Sequence, residues 1–106
     1  MTITKLEIYI AIEIQKLRAP KSNTIKDIRE YSDKKWAWRS MLEYLRTHES
    51  EYVNAVTAVE SYILHVDDLL CMAKTERAKC TYIACKDTAE YTRDLIITEY
   101  EDWPWI

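Results

Sequence analysis

Basic and aromatic residues stand side by side in the run Lys34-Lys35-Trp36-Ala37-Trp38-Arg39. Proteins use this combination to hold phosphate groups with cationic side chains while aromatic rings stack on bases. The surrounding stretch, residues 16 to 39, contains eight lysines and arginines against three aspartates and glutamates. The segment therefore suits an anionic partner, either an acidic protein or a nucleotide.

A purely structural interpretation fits the same segment and is the favoured one. Trp38 shares a helical face with Leu42 and Leu45, so its indole is expected in the core while the lysines form a solvated surface. An acidic protein partner comes second, and a nucleotide or nucleic acid comes third. The sequence pI of about 5.4 weighs against general nucleic-acid binding, which usually needs a clearly basic domain.

A second aromatic cluster, Trp103-Pro104-Trp105-Ile106, follows the acidic residues Glu99, Glu101 and Asp102. This acidic-aromatic tail, residues 101 to 106, is expected to fold back on the domain, because two exposed tryptophans lower solubility. The alternative is a short linear anchor for a partner, since tryptophan is enriched at binding hot spots. The candidate partner-binding residues of the whole chain are therefore Lys34, Lys35, Trp36, Trp38, Arg39, Trp103 and Trp105.

Few residues of the chain are suited to catalysis or metal binding. His65 and Asp68 are three residues apart, on one helical face, but the only other histidine is His48, and no two-histidine helical pair exists. The sequence also lacks glycine altogether, which excludes the usual phosphate loops and nucleophile elbows. We predict no catalytic, cofactor-binding or metal-binding residues, no cofactor, and no enzymatic activity.

Composition, cysteine content and charge predict a single intracellular domain. The 106 residues are 48% hydrophobic and 31% charged, and no apolar run approaches the roughly 20 residues that span a bilayer. Three cysteines without a Cys-x-x-Cys pair fit the reducing cytoplasm and are expected to be small core residues. The formal charge is +4 over residues 1 to 48 and −7 over residues 49 to 106, which favours attraction between the two halves or an oriented encounter with a partner.

The N-terminal segment supports two interpretations. Thr4 and Glu7 have capping-box spacing, and the leucines and isoleucines that follow predict a helix over about 5–18. Strict alternation of apolar residues also allows a strand over about 5–15, which would make the fold α+β. The helix is favoured because a lone strand would lack a partner. In a helix, Ile8 and Ile12 lie opposite the main apolar stripe, so neighbouring helices or another subunit would have to cover them.

Breaks in the pattern divide the middle of the chain. Pro20 and the polar residues around it predict a turn at 19–23, and residues 47–50 predict a second turn. Thr24 is a candidate N-cap for the segment that follows, and Ser32 is a second one. The sequence leaves open whether residues 25 to 47 form one helix or two.

The strongest periodicity lies in the C-terminal half. Two seams have the 4, 3, 4, 3, 4 spacing of heptads and are separated by a polar stretch at 74–77. This predicts an antiparallel helical hairpin of about 50–73 and 76–100, with one interrupted helix as the alternative. The first seam consists of Tyr52, Val56, Val59, Ile63, Val66 and Leu70; the second consists of Ala78, Tyr82, Cys85, Ala89, Thr92 and Ile96.

The sequence therefore predicts one all-α domain over residues 1–106, a bundle of four to five helices with this hairpin. We expect a non-enzymatic intracellular protein that binds another protein as an inhibitor, adaptor or regulator. A second copy of the chain is one candidate partner, and no association with a membrane is expected. Small accessory proteins of phages and other mobile elements often have such a composition. The alternative function is a nucleotide or nucleic-acid binding module that uses residues 16–39.

Overall fold

The computed structural model describes residues 2–52 and 54–98, which form four α-helices and no strand. The all-α prediction is confirmed. The helices are α1 (Ile3–Lys16), α2 (Ile25–Thr47), α3 (Ala55–Met72) and α4 (Glu76–Ile96), with a short 3₁₀ turn, Glu49–Glu51, between α2 and α3. None of the helices in these described ranges is long and apolar enough to cross a membrane.

Helix α1 shows that the alternative of an N-terminal strand is wrong. Leu6 and Ile10 are fully buried, whereas Ile8 and Ile12 are 57% and 46% exposed, so burial follows the helical period and not the alternation of a strand. Among the described helices, none covers the two exposed isoleucines. Of the two alternatives for covering Ile8 and Ile12, neighbouring helices or another subunit, the described helices do not provide the first.

The first turn of α1 differs from the predicted capping box. Thr2 is the N-cap, and its hydroxyl oxygen accepts a hydrogen bond from the Lys5 amide at 3.2 Å. Starting at Ile3 brings this buried side chain into the helix and places Thr4 inside the first turn. The helix consequently begins and ends two residues earlier than predicted, and Glu7 has no capping role.

Glu7 instead points toward the beginning of the 3₁₀ turn. Its Oε1 atom is buried and has no hydrogen-bond partner among the described residues. Burial, and then the nearby Glu49 carboxylate, raises the pKa of Glu7, while Arg46 partly offsets both effects. The folded protein therefore favours the neutral form of this side chain more strongly than the unfolded chain does.

Replacing Glu7 by glutamine tests how much the burial of this carboxylate lowers the stability of the folded protein. Because the pKa of Glu7 is raised by folding, its stabilising contribution is complete below the unfolded value of about 4.5 and is lost as pH rises through the folded value. We expect Glu7→Gln to raise the free energy of unfolding by about 1 kcal/mol at pH 7, with a smaller gain at pH 4. Urea unfolding at both pH values measures the gain, with the exposed Glu30→Gln as control; an equal gain at both values would contradict the assignment.

Helix α2 is one continuous helix of 23 residues. The Thr24 side chain accepts a hydrogen bond from the Asp27 amide at 3.3 Å, which confirms the predicted N-cap. Ser32, the second candidate cap, lies within the helix on an exposed position and does not interrupt it. The first and second halves of α2 therefore present one continuous surface.

Helices α3 and α4 form the predicted antiparallel pair, joined by residues 73 to 75. Lys86 Nζ lies 2.8 Å from Asp67 Oδ1, which links facing positions of the two helices. Thr75 caps α4 by accepting a hydrogen bond from the Ala78 amide at 3.1 Å. The chain leaves α3 at Ala73 in an extended conformation (φ −66°, ψ 130°), so this turn requires no left-handed residue and no glycine.

The two predicted seams differ in how far their residues are buried. The last four members of the α4 seam, Cys85, Ala89, Thr92 and Ile96, are all buried. On α3 the buried face also includes Ala55, Ala58 and Tyr62. The outermost members of the first seam, Tyr52 before α3 and Leu70 within it, are only half-buried. Tyr62 is the largest of the fully buried side chains in the described core, although the seam did not include it.

The cysteines divide between the core and the surface. Cys85 is buried, and burial raises the pKa of its thiol. Cys71 and Cys80 are exposed. The expectation that all three cysteines are core residues therefore holds for Cys85 alone.

Helices α2 and α4 are neighbours that run in the same direction. Asp33 of α2 accepts hydrogen bonds from Arg77 and Thr81, at 2.8 and 3.0 Å, near the beginning of α4. Further along α2, Trp38 lines a groove with Tyr91, which is near the end of α4. The direction of these contacts fixes the relative orientation of the two helices.

One hydrophobic core contains buried side chains from all four helices. Trp38, Met41 and Leu45 contribute from α2, and Leu6 and Ile10 contribute from α1. The acidic-aromatic tail predicted at 101–106 lies outside the described residues.

Candidate functional site

The predicted partner-binding residues of α2 lie on two different faces. Trp36 is 55% exposed and Arg39 is exposed beside it, one helical turn away. Trp38 is only 6% exposed and packs edge-on against Tyr9, so it belongs to the core and not to a contact surface. Lys34 is exposed on the side of α2 where Trp38 lies, and Lys35 is half-buried with its ammonium group 5.7 Å from the Tyr31 ring centre.

Helix geometry explains this division. Residues two positions apart on a helix differ by about 200° in direction, so Trp36 and Trp38 cannot both face the core. Burial of Trp38 with Met41 and Leu45 therefore turns Trp36 and Arg39 outward. The structure brings these two together, while Trp103 and Trp105 lie outside the described residues.

Trp36 and Arg39 form one wall of an open groove between α2 and α3, with a volume of about 470 Å³. Such a volume lies within the range of small binding sites. The groove contains aromatic rings and polar groups in close alternation. Its main lining residues are Trp36, Arg39, Tyr44 and His48 from α2, and Tyr62 and His65 from α3.

Hydrogen-bonded tyrosines form the floor of the groove. The Tyr44 hydroxyl lies 2.7 Å from Ser61 Oγ, and the Tyr52 hydroxyl is hydrogen-bonded to the same serine oxygen. Tyr62 donates to Ser40 Oγ at 2.9 Å. Burial raises the pKa of Tyr44 and that of Tyr62, so both phenols stay neutral at physiological pH.

Both histidines of the chain pack against Tyr44. Its ring centre lies 4.3 Å from that of His48 and 5.3 Å from that of His65, whose ring is stacked at an interplanar angle of 27°. Nδ1 of His48 also contacts the Glu51 carboxylate at 3.0 Å. Sequence reasoning missed this cluster, because the two histidines are 17 positions apart and no short motif connects them.

The charged groups of the site are unevenly paired. Asp67, which is close in sequence to His65 and Asp68, forms an ion pair with Lys86. No cluster of three or more histidine, cysteine or acidic side chains suited to a metal ion occurs within residues 2–52 and 54–98. Arg39 forms no ion pair with any residue that the structure describes, so its guanidinium is available to an anionic group.

Comparison with known proteins identifies no family for this chain. The sequence matches no protein-family model. Neither the curated proteins nor the solved structures compared with it show a significant similarity. Inference about function therefore rests on the residues and contacts described above.

Proposed function

We propose that this chain is a non-enzymatic protein-interaction module whose partner binds across the outward face of α2. The observation that carries the proposal is the position of Trp36, a large aromatic side chain that the fold leaves more than half exposed on a helix. Tryptophan and arginine are the residue types most enriched among interface hot spots, and here they are one turn apart. The groove beside them supplies further aromatic surface with fixed ring orientations.

Exposed apolar residues extend this surface toward the beginning of α2. Ile25 and Ile28 are both exposed, and they lie on the same face as Trp36 and Arg39. We name the set the outer face of α2; it consists of Ile25, Ile28, Ser32, Trp36 and Arg39. Over about 20 Å of helix it combines apolar anchors with an arginine that forms no ion pair with a described residue, which supports binding of a protein surface that is apolar and acidic.

Substitution of Trp36 tests the proposal. We expect Trp36→Ala to weaken partner binding at least 30-fold, the effect typical of a hot-spot aromatic residue, without lowering the thermal stability of the fold. The full-length protein is used to capture its partner from cell extract, and the purified pair is then titrated by calorimetry. Leu64→Ala, which removes an exposed leucine of α3, is the matched control.

Two outcomes would count against the proposed surface. Equal binding by wild type and Trp36→Ala would remove the outer face of α2 as the contact. Binding that falls steeply with salt and depends on Lys34 and Lys35 more than on Trp36 would instead favour the nucleotide or nucleic-acid alternative.

A further inference from the structure

The groove between α2 and α3 contains two opposite charges that are not paired with each other. Arg39 and Glu43 are one helical turn apart on α2, both are exposed, and both line the groove. Neither side chain forms an ion pair with any residue that the structure describes. The groove therefore offers a cation and an anion side by side to a bound molecule.

Aromatic rings line the same groove from both helices. Trp36 belongs to α2 and is more than half exposed, whereas His65 belongs to α3 and is exposed on the opposite wall. The His65 ring is stacked on that of Tyr44, with ring centres 5.3 Å apart, which leaves its other side open. A planar ring that enters the groove can therefore contact Trp36 on one side and His65 on the other.

We propose that this groove is a binding site for an aromatic α-amino acid in its zwitterionic form. The aromatic ring of the ligand lies between Trp36 and His65. Its carboxylate accepts hydrogen bonds from the Arg39 guanidinium, and its ammonium group donates to the Glu43 carboxylate. The inference goes beyond the proposed function, because it concerns a small molecule and not a protein, although both use Trp36 and Arg39.

The pair of charges selects a zwitterion over other aromatic ligands. An aromatic anion, such as a nucleotide, would bring its negative charge close to Glu43 as well as to Arg39. An aromatic cation would meet the opposite difficulty at Arg39. An α-amino acid carries its two charged groups on one carbon atom, and side chains four residues apart on a helix are close enough to contact both.

The two histidines provide a direct test of the site. His48 and His65 are the only histidines of the chain and both line the groove, so their ring signals in NMR spectra report binding there. We titrate the ¹³C-labelled 106-residue chain with unlabelled L-tryptophan at constant pH. Both signals are expected to shift and to saturate with a Kd on the order of 1 mM, as for a small ligand in an open groove. Signals that do not move up to about ten times that concentration would overturn the proposal.

Two analogues of tryptophan separate the two charges of the ligand. Indole-3-propionate lacks the ammonium group, and tryptamine lacks the carboxylate. We expect Arg39→Gln to weaken binding of tryptophan about fivefold without weakening that of tryptamine, since tryptamine has no group for the guanidinium. Glu43→Gln is expected to weaken tryptophan by a similar factor without weakening indole-3-propionate. Arg29→Gln and Glu60→Gln, which alter exposed charges outside the groove, are the matched controls.

The analogues also define the results that would contradict a zwitterion site. Indole-3-propionate or tryptamine binding as tightly as tryptophan would overturn it, as would tryptophan binding that neither Arg39→Gln nor Glu43→Gln weakens. These titrations contain no protein partner, so their failure is distinct from failure of the proposed function. Capture of a protein that depends on Trp36 would then stand without a small ligand in the groove.

Discussion

Ile10→Ala is expected to lower the free energy of unfolding by about 2–5 kcal/mol, the range observed when a large buried aliphatic side chain is truncated. Ile10 is completely buried between α1 and the rest of the core, so its truncation leaves a cavity as well as removing apolar contacts. For a domain of this size, whose whole stability is commonly about 5–15 kcal/mol, such a loss is large.

Ile8→Ala is the matched control, since it makes the same chemical change two residues away on the same helix. Ile8 is exposed, and alanine is the better helix former, so we expect a change of less than about 0.5 kcal/mol. Urea unfolding followed by circular dichroism measures both variants. Equal losses for the two would contradict the assignment of the buried face of α1, and with it the rejection of the strand.

Tyr62→Ala is expected to destabilise the protein by about 3–5 kcal/mol, which would make it another of the most damaging single substitutions in the described core. Tyr62 of α3 contacts two residues of α2 and shares the buried core with Cys85 of α4: its ring packs against Tyr44 and its hydroxyl donates to Ser40. Loss of the side chain therefore loosens α2, α3 and α4 together and removes part of the floor of the groove.

Tyr62→Phe separates the hydroxyl from the ring. We expect this variant to lose only about 0.5–1.5 kcal/mol, because the ring still fills its site while Ser40 loses a hydrogen-bond partner. Tyr91→Ala, at an exposed position of α4, controls for removal of a tyrosine as such. Thermal and urea unfolding provide the comparison; a phenylalanine variant as unstable as the alanine variant would show that the hydroxyl network, and not packing, dominates.

Local signals in the sequence were sufficient for most of the fold. Thr24 marks the beginning of α2 correctly because an N-cap depends only on hydrogen bonds to the next turn. Thr4 was the wrong cap because Thr2 is equally capable, and the choice between them depends on whether Ile3 joins the core. Ser32 could not be assigned from sequence alone, since a serine is tolerated within a helix that tertiary contacts stabilise on its other face.

The candidate site was predictable only in part. Trp36 and Trp38 are two residues apart, so a helix must turn one of them outward, and the spacing of Leu42 and Leu45 identified Trp38 as the buried one. The groove beside Trp36 depends on contacts between α2 and α3, where Tyr44 meets His65 across 21 positions of sequence. No periodicity within a single helix contains that information, because it arises from the packing of one helix on another.

The glycine-free connections have a consequence for the denatured state. No residue in the described ranges has a positive φ, so the turns at 17–24, 48–52 and 73–75 are built from backbone conformations open to any L-amino acid. A chain with average composition would contain about seven glycines, each of which widens the range of conformations in the denatured ensemble. At roughly 0.4–1 kcal/mol for each glycine avoided, the denatured chain has several kcal/mol less conformational entropy to lose on folding. The small core, which leaves Ile8, Ile12 and Trp36 exposed, therefore has less conformational entropy to offset when the chain folds.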